Sequence, residues 1–127
     1  MRIALCICPQ WSVQTPSFAI GSLKSHIKNK DVEVEQFDLN IRTSLYTKEK
    51  NIQKFWDWGN DTPWNSEANF KDEILPHFKD LWHEYIDKLA KYDVVAFTTY
   101  ISNIVTTDYI ARYLKQKNPK IQIWYGG

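Results

Sequence analysis

The run Asp93-Val-Val-Ala-Phe-Thr98 is apolar and of strand length, and Ile121-Gln-Ile-Trp-Tyr125 forms a second run that ends in Gly126-Gly127. The segment between the two runs has apolar residues at helical spacing and stops at Asn118-Pro119. A helical connection usually returns the chain to the same end of a sheet, so the two strands are predicted to be parallel. The near-continuous apolar character of the first run is typical of a strand that helices cover on both faces.

The residues before this unit repeat the same pattern. Residues 3–8 are apolar and end at Pro9, while residues 32–37 alternate apolar and polar side chains, which favours a position near the sheet edge. Between them, Thr15-Pro16-Ser17 predicts a helix start that Ile20, Leu23 and Ile27 continue. The sequence therefore predicts an α/β fold, a Rossmann-like three-layer domain whose parallel strands follow the order 2-1-3-4.

Residues 43–91 are too long for a simple crossover and predict a helical insertion. Thr47 is expected to cap a helix that carries Ile52, Phe55 and Trp56, and Ser66 is expected to cap a second one. Pro76 should kink or split the second helix. Its apolar stripe advances by four or three residues, through Phe70, Ile74, Phe78, Leu81, Tyr85 and Leu89. The aromatic side chains here are interpreted as core, although some could line a pocket for a flat ligand.

Length and composition limit the class of protein. A chain of 127 residues suits one domain, residues 1–127, and 16 basic against 15 acidic residues exclude the basic field of a nucleic-acid binder. No apolar run approaches the roughly 20 residues of a membrane span, and the start reads directly into a strand, which favours a cytoplasmic protein. Cys6 and Cys8 lie on one strand face and are expected to point into the core.

Several kinds of site can be set aside. Neither phosphate-binding glycine motif is present, no catalytic arrangement stands out, and the three histidines lack the spacing of metal ligands. In open parallel sheets, ligands bind beyond the carboxyl ends of the strands. That edge is formed here by residues 9–17, 38–42, 98–103 and 126–127, and its residue types suit a sizeable, roughly neutral ligand.

The ordered set of motifs resembles the N-terminal cobalamin-binding domain of B12-dependent radical SAM enzymes. The similar segments are Thr15-Pro-Ser-Phe-Ala-Ile-Gly-Ser-Leu-Lys-Ser-His-Ile27, Asp38-Leu-Asn40, Tyr92-Asp-Val-Val-Ala-Phe-Thr-Thr-Tyr-Ile-Ser-Asn103 and Asn118-Pro to Gly127. The resemblance implies a corrinoid-binding domain with no catalytic or metal-ligating residue of its own. It implies cofactor contacts from Thr15, Pro16, Asp38, Asn40, Thr98, Thr99, Tyr100, Asn103, Gly126 and Gly127.

Departures from the wider B12-binding pattern refine this expectation. Asn40 and Thr43 stand where Asp-x-His-x-x-Gly modules have histidine and glycine, so the resemblance implies cobalamin held without a histidine lower ligand. Thr98-Thr99-Tyr100 replaces the Ser-x-Leu that receives the nucleotide tail. The Cys-x-x-x-Cys-x-x-Cys motif is missing, so S-adenosylmethionine and a [4Fe-4S] cluster would belong to a downstream radical SAM domain, the expected partner. We expect an N-terminal fragment of a longer chain that binds corrinoid weakly and is not an enzyme by itself, serving methyl transfer or related radical chemistry.

A receiver-like or nucleotide-sugar-binding Rossmann-like domain without corrinoid is the alternative. A receiver needs clustered acidic side chains after its first strand to bind Mg²⁺, and Cys8, Pro9 and Gln10 supply none. A nucleotide-sugar domain would need sequence beyond Gly127.

Overall fold

Four parallel strands form the centre of the molecule. A computed structural model of the chain describes residues 1–14, 17–27, 31–56 and 62–126. The strands are β1 (Arg2–Ile7), β2 (Glu33–Asp38), β3 (Val94–Thr98) and β4 (Gln122–Gly126). They follow the order β2-β1-β3-β4 with every pairing parallel. The predicted fold class and strand order are therefore confirmed, with β1, β2 and β4 displaced by one residue from the predicted bounds.

Helix α1 (Phe18–His26) lies on one face of the sheet, and the other helices lie on the opposite face. On the α1 side, Ile20 packs with Ile3, Leu5, Ile7 and Val94. The chain first passes from β1 to β2 on one side of it. It then crosses back over β1 to β3 and continues outward to β4. Right-handed crossovers in opposite directions place their helices on opposite faces, which accounts for the isolated position of α1.

The second face carries the insertion and the last helix. Its elements are α2 (Leu39–Glu49), a 3₁₀ turn (Gln53–Trp56), α3 (Thr62–Asn65), α4 (Glu67–Asn69), a π-helical turn (Phe70–Ile74), α5 (Leu75–Leu89) and α6 (Ile104–Lys117). The predicted cap at Thr47 is wrong, because Thr47 lies buried inside α2. Asp38 caps α2 instead, its carboxylate accepting from Ile41 N at 2.9 Å, nine residues before the predicted cap, and α2 ends at Glu49.

Pro76 marks a real interruption of the long apolar stripe. It lies in the first turn of α5, where proline is well tolerated, and the π-helical turn comes directly before it. The stripe is therefore carried by two successive segments, the π-helical turn and α5, and not by one straight helix. Ser66 occupies the position before α4 but its side chain makes no capping hydrogen bond.

A cluster of large rings fills the core between the insertion and the sheet. Trp64, Phe78 and Trp82 are fully buried, and Phe70 stacks on Trp82 with ring centroids 5.7 Å apart and an interplanar angle of 3°. Trp82 Nε1 donates to Thr43 Oγ1 at 3.1 Å, so its one polar atom is satisfied. Trp56, which was expected to be buried with them, is only half-buried. Cys6 and Cys8 are buried free thiols, as predicted.

The two edges of the sheet have different chemistry. On β2, Glu33 and Glu35 form exposed ion pairs with Arg2. Burial and the Glu35 carboxylate beside it raise the pKa of Tyr92 to about 12, and the Arg2 guanidinium lies 4.3 Å from the same ring. The opposite edge strand, β4, has the sequence Gln-Ile-Trp-Tyr-Gly and carries no charged side chain.

Within the described ranges, the longest and most apolar helices still fall short of what crossing a lipid bilayer requires.

Candidate functional site

A hollow of about 420 Å³ opens on the α1 face of the sheet, near the carboxyl ends of β3 and β4. Eleven residues line it: Leu5, Ala19, Ile20, Leu23, Ala96, Phe97, Thr98, Tyr100, Trp124, Tyr125 and Gly126. We call it the sheet pocket. Its volume falls in the range of about 300–1,000 Å³ that is usual for small-molecule sites.

The register of the strands explains why the hollow exists. Leu5 pairs with Ala96, and Ala96 pairs with Trp124, so these three side chains form one row on the α1 face. The small methyl group of Ala96 lies between two large neighbours, which leaves a depression in the middle of the row. Helix α1 covers β1 and β2 but leaves this part of the sheet open.

Polar groups are few and lie at the carboxyl end of the sheet pocket. The Thr98 hydroxyl makes no hydrogen bond with the described part of the chain, so both its donor and its acceptors can serve a ligand. Thr99 is already engaged, since its N–H and its hydroxyl both donate to Gly126 O, at 2.6 and 3.1 Å. A Cβ added at Gly126 would meet no atom within 4 Å, so the space beside this glycine is open.

Asn40 fixes the loop that follows β1. Its Oδ1 accepts from Trp11 N at 2.8 Å, and its Nδ2 donates to Trp11 O and Ser12 O at 3.1 and 3.3 Å. The residue is buried, so its amide is used for loop geometry and does not face the sheet pocket.

Asn103 has the same role in the loop after β3. Its Oδ1 accepts from Tyr100 N at 2.7 Å, and its Nδ2 donates to Cys8 O and Thr98 O at 3.3 and 3.1 Å. Ser102 adds a second link to the β1 loop, because its hydroxyl donates to Gln10 O at 2.7 Å. The two loops that frame the carboxyl edge are therefore tied to each other.

The structure brings together some of the predicted cofactor-binding residues and separates others. Thr98, Tyr100 and Gly126 line the sheet pocket. Asp38 caps α2, and Asn40 and Asn103 hold loops, so these three side chains act inside the protein. Thr15, Pro16 and Gly127 lie outside the described residues.

Sequence reasoning missed the row of Leu5, Ala96 and Trp124. The alternation of side chains along β4 does put Trp124 on the opposite face from Ile123 and Tyr125, and that was the available signal. Which face remains open depends on where the helices cross, and the alternation does not contain that information.

Exposed apolar side chains extend the site beyond the sheet pocket. Phe18 and Ile101 are 87% and 86% exposed, and they follow the carboxyl ends of β1 and β3. Most other large apolar side chains that the described structure exposes lie at this edge or on α1: Val13, Leu23, Ile104, Trp124 and Tyr125. Such a concentration of exposed apolar groups is typical of a binding surface.

The electrostatics of the site favour a neutral ligand group, since none of its eleven lining residues is charged. Burial is the main reason why the pKa of the Cys6 thiol lies well above its usual value, so this buried thiol stays protonated.

The histidines lie away from the sheet pocket. His26 Nδ1 is 2.8 Å from Ser22 O, His77 stacks on Phe55, and His83 Nε2 is 2.7 Å from the Tyr109 hydroxyl. The described residues contain no group of three potential metal ligands.

Comparison of the chain with protein-family models, with curated proteins and with solved structures gives no match.

Proposed function

We propose that this domain binds a corrinoid at the carboxyl edge of its sheet, with the nucleotide tail in the sheet pocket. The observation that carries the proposal is the combination of an uncharged pocket and a surrounding rim of exposed apolar side chains at one edge. A corrinoid has matching parts, because a planar base and its sugar form a compact tail while the broad ring needs an open apolar surface.

The residues present are compatible with such a tail. The 420 Å³ sheet pocket has room for a fused two-ring base with its sugar but not for the corrin ring, which would lie outside on the rim. The Trp124 ring borders the space where the base would lie, and aromatic rings favour stacked or edge contacts with planar groups. The free Thr98 hydroxyl can form a hydrogen bond with a polar atom of the tail. The open space at Gly126 lets the tail come close to the protein backbone.

The proposal includes the absence of a histidine beneath the cobalt. His26 lies on α1, and His77 and His83 lie on α5, so all three contact neighbours away from the loops that frame the site. Asn40 uses both of its amide groups on the backbone of the β1 loop and is not free to coordinate. When bound, the corrinoid would supply methyl transfer or related radical chemistry together with a radical SAM domain, as the resemblance implies.

A receiver-like function finds less support in the geometry. Receivers gather carboxylates at this edge for Mg²⁺, whereas the Asp38 carboxylate here caps the first turn of α2 and the sheet pocket has no acidic residue.

Titration with hydroxocobalamin, followed by its visible spectrum, tests the proposal. We expect saturable binding with Kd on the order of 0.1 mM, since only part of the ligand is enclosed. Gly126→Leu would fill the space beside the strand and Thr98→Tyr would fill the pocket mouth, so each should weaken binding about tenfold or more. Replacing His26, His77 or His83 should leave the bound spectrum unchanged.

Leu45→Ala is the matched control, because Leu45 is an exposed apolar residue on α2 outside the site. It should bind like the original chain. A histidine-dependent spectrum, no saturable binding, or equal binding by Gly126→Leu and the original chain would overturn the proposal.

A further inference from the structure

A second hollow lies on the opposite side of the molecule, between α6 and the segment that leads into α5. It has a volume of about 400 Å³ and is lined by Glu67, Phe70, Lys71, Leu75, Val105, Asp108, Tyr109, Arg112, Tyr113 and Gln116. We call it the helix groove. It shares no residue with the sheet pocket, so anything that binds there is independent of the proposed corrinoid site.

Three aromatic rings form the wall of the helix groove. The rings of Phe70 and Tyr109 are 6.0 Å apart, and those of Tyr109 and Tyr113 are 4.8 Å apart. His83 Nε2 lies 2.7 Å from the Tyr109 hydroxyl and fixes that ring from behind. The rings are therefore held in place before any ligand arrives, which lowers the entropic cost of binding.

The π-helical turn Phe70–Ile74 supplies one side of this wall. A π-helical turn is less favourable than a regular α-helical one and is often found at functional sites. Here both Phe70 and Lys71 line the helix groove, although they are adjacent in sequence and only the Phe70 ring is buried.

The charges on the rim leave cationic groups open to an anion. Among the described residues, Lys71 has no ion-pair partner. Arg112 contacts Glu67 at 3.6 Å, with both side chains at least 70% exposed, and such a pair is worth little and is easily displaced. Burial, and after it the nearby Asp108 carboxylate, raise the pKa of the Tyr125 phenol, so Asp108 interacts with a residue outside the helix groove.

We propose that the helix groove binds a planar aromatic carboxylate, with its ring against Tyr109 and Tyr113 and its carboxylate between Lys71 and Arg112. Guanidinium groups bind carboxylates in a bidentate way, and Lys71 adds a second positive charge. Glu67 competes with the ligand for Arg112, so removing its charge tightens binding.

Calorimetric titration with indole-3-acetate tests the proposal, with two comparison ligands. Tryptophol has the same ring without the charge, and cyclohexylacetate has the charge without a planar ring. Indole-3-acetate should bind at least about fivefold more tightly than either one. Arg112→Gln and Lys71→Gln should each weaken its binding about tenfold, whereas Glu67→Gln should strengthen it.

Two controls locate the ligand. Lys120→Gln removes an exposed lysine from the turn before β4 and should change nothing, and Gly126→Leu blocks the sheet pocket and should also leave binding intact. No saturable heat up to about 10 mM, equal affinity for the three ligands, or weaker binding by Glu67→Gln would overturn the proposal. Loss of indole-3-acetate binding in Gly126→Leu would overturn it as well, because the ligand would then lie in the sheet pocket.

Discussion

The indole of Trp11 lies against the ring of Tyr100, with centroids 4.1 Å apart and planes inclined by 14°. Trp11 belongs to the loop after β1 and Tyr100 to the loop after β3, so this stack joins the two loops at the carboxyl edge of the sheet. An offset aromatic pair contributes about 1 kcal/mol beyond the area that it buries.

A double-mutant cycle measures this contribution directly. The cycle uses Trp11→Ala, Tyr100→Ala and the double variant, each unfolded in urea. We expect the sum of the losses of unfolding free energy in the two single variants to exceed the loss in the double variant by about 1 kcal/mol. Strictly additive losses would mean that the two loops are held only by their hydrogen bonds.

Two tryptophans with different surroundings should respond differently to truncation. Trp82 is fully buried among rings, so Trp82→Ala should lower the free energy of unfolding by about 4 kcal/mol through cavity formation and the loss of the bond to Thr43. Trp124 is half exposed, and Trp124→Ala should cost about 1 kcal/mol or less. Urea unfolding followed by circular dichroism compares the two, and similar losses would contradict the assignment of the core.

The loop function of Asn40 can be separated from any function in ligand binding. Asn40→Asp keeps the shape but replaces two N–H donors by an oxygen that faces Trp11 O and Ser12 O. We expect a loss of about 3 kcal/mol in unfolding free energy, from two missing hydrogen bonds and a repulsive buried oxygen. Asn69→Asp, at an exposed position on α4, is the matched control and should change stability little. Equal stability of the two variants would show that the loop does not depend on Asn40.

The raised pKa of Tyr92 predicts how the free energy of unfolding changes at alkaline pH. Its pKa is about 12 in the folded protein, through burial and the Glu35 carboxylate, and about 10 when unfolded. Between these values the folded state holds a proton that the unfolded state has lost, so stability is full below about pH 10 and falls as the pH rises toward 12.

Urea midpoints at about pH 9 and pH 11.5 test this, using the original chain and Tyr92→Phe. The phenylalanine variant should lose less stability over this interval. Some loss should remain, because burial also raises the pKa of Tyr109 and Tyr125. An identical pH dependence in both proteins would show that Tyr92 ionises freely.

The sequence predicts most of the fold because its strongest signals are local. Strand β3 lies inside the predicted run Asp93–Thr98 and ends with it, since a near-continuous apolar run is typical of a strand that is buried on both faces. The start of α2 was misplaced because Asp38 both ends β2 and caps α2, and the cap was expected at Thr47 instead. Local patterns do not distinguish these functions.

The candidate site was harder to predict, because it depends on which surface remains uncovered. Thr98 and Gly126 were found from their position after strands, a rule that follows from topology. The amides of Asn40 and Asn103 are consumed by neighbouring loops, and these partners lie 29 and 95 residues away in sequence. Such distant contacts exist only in the folded chain.

The uncharged edge strand β4 has a consequence for behaviour at high concentration. In the described structure β4 pairs only with β3, and its outer N–H and C=O groups lie beside the exposed rings of Trp124 and Tyr125. Acidic residues protect the other edge, β2, from pairing with a second molecule, whereas β4 has no such protection. Self-association should therefore begin along β4, where the edges of two molecules can join into one continuous sheet, and Trp124→Lys should suppress it by placing a charge on that edge.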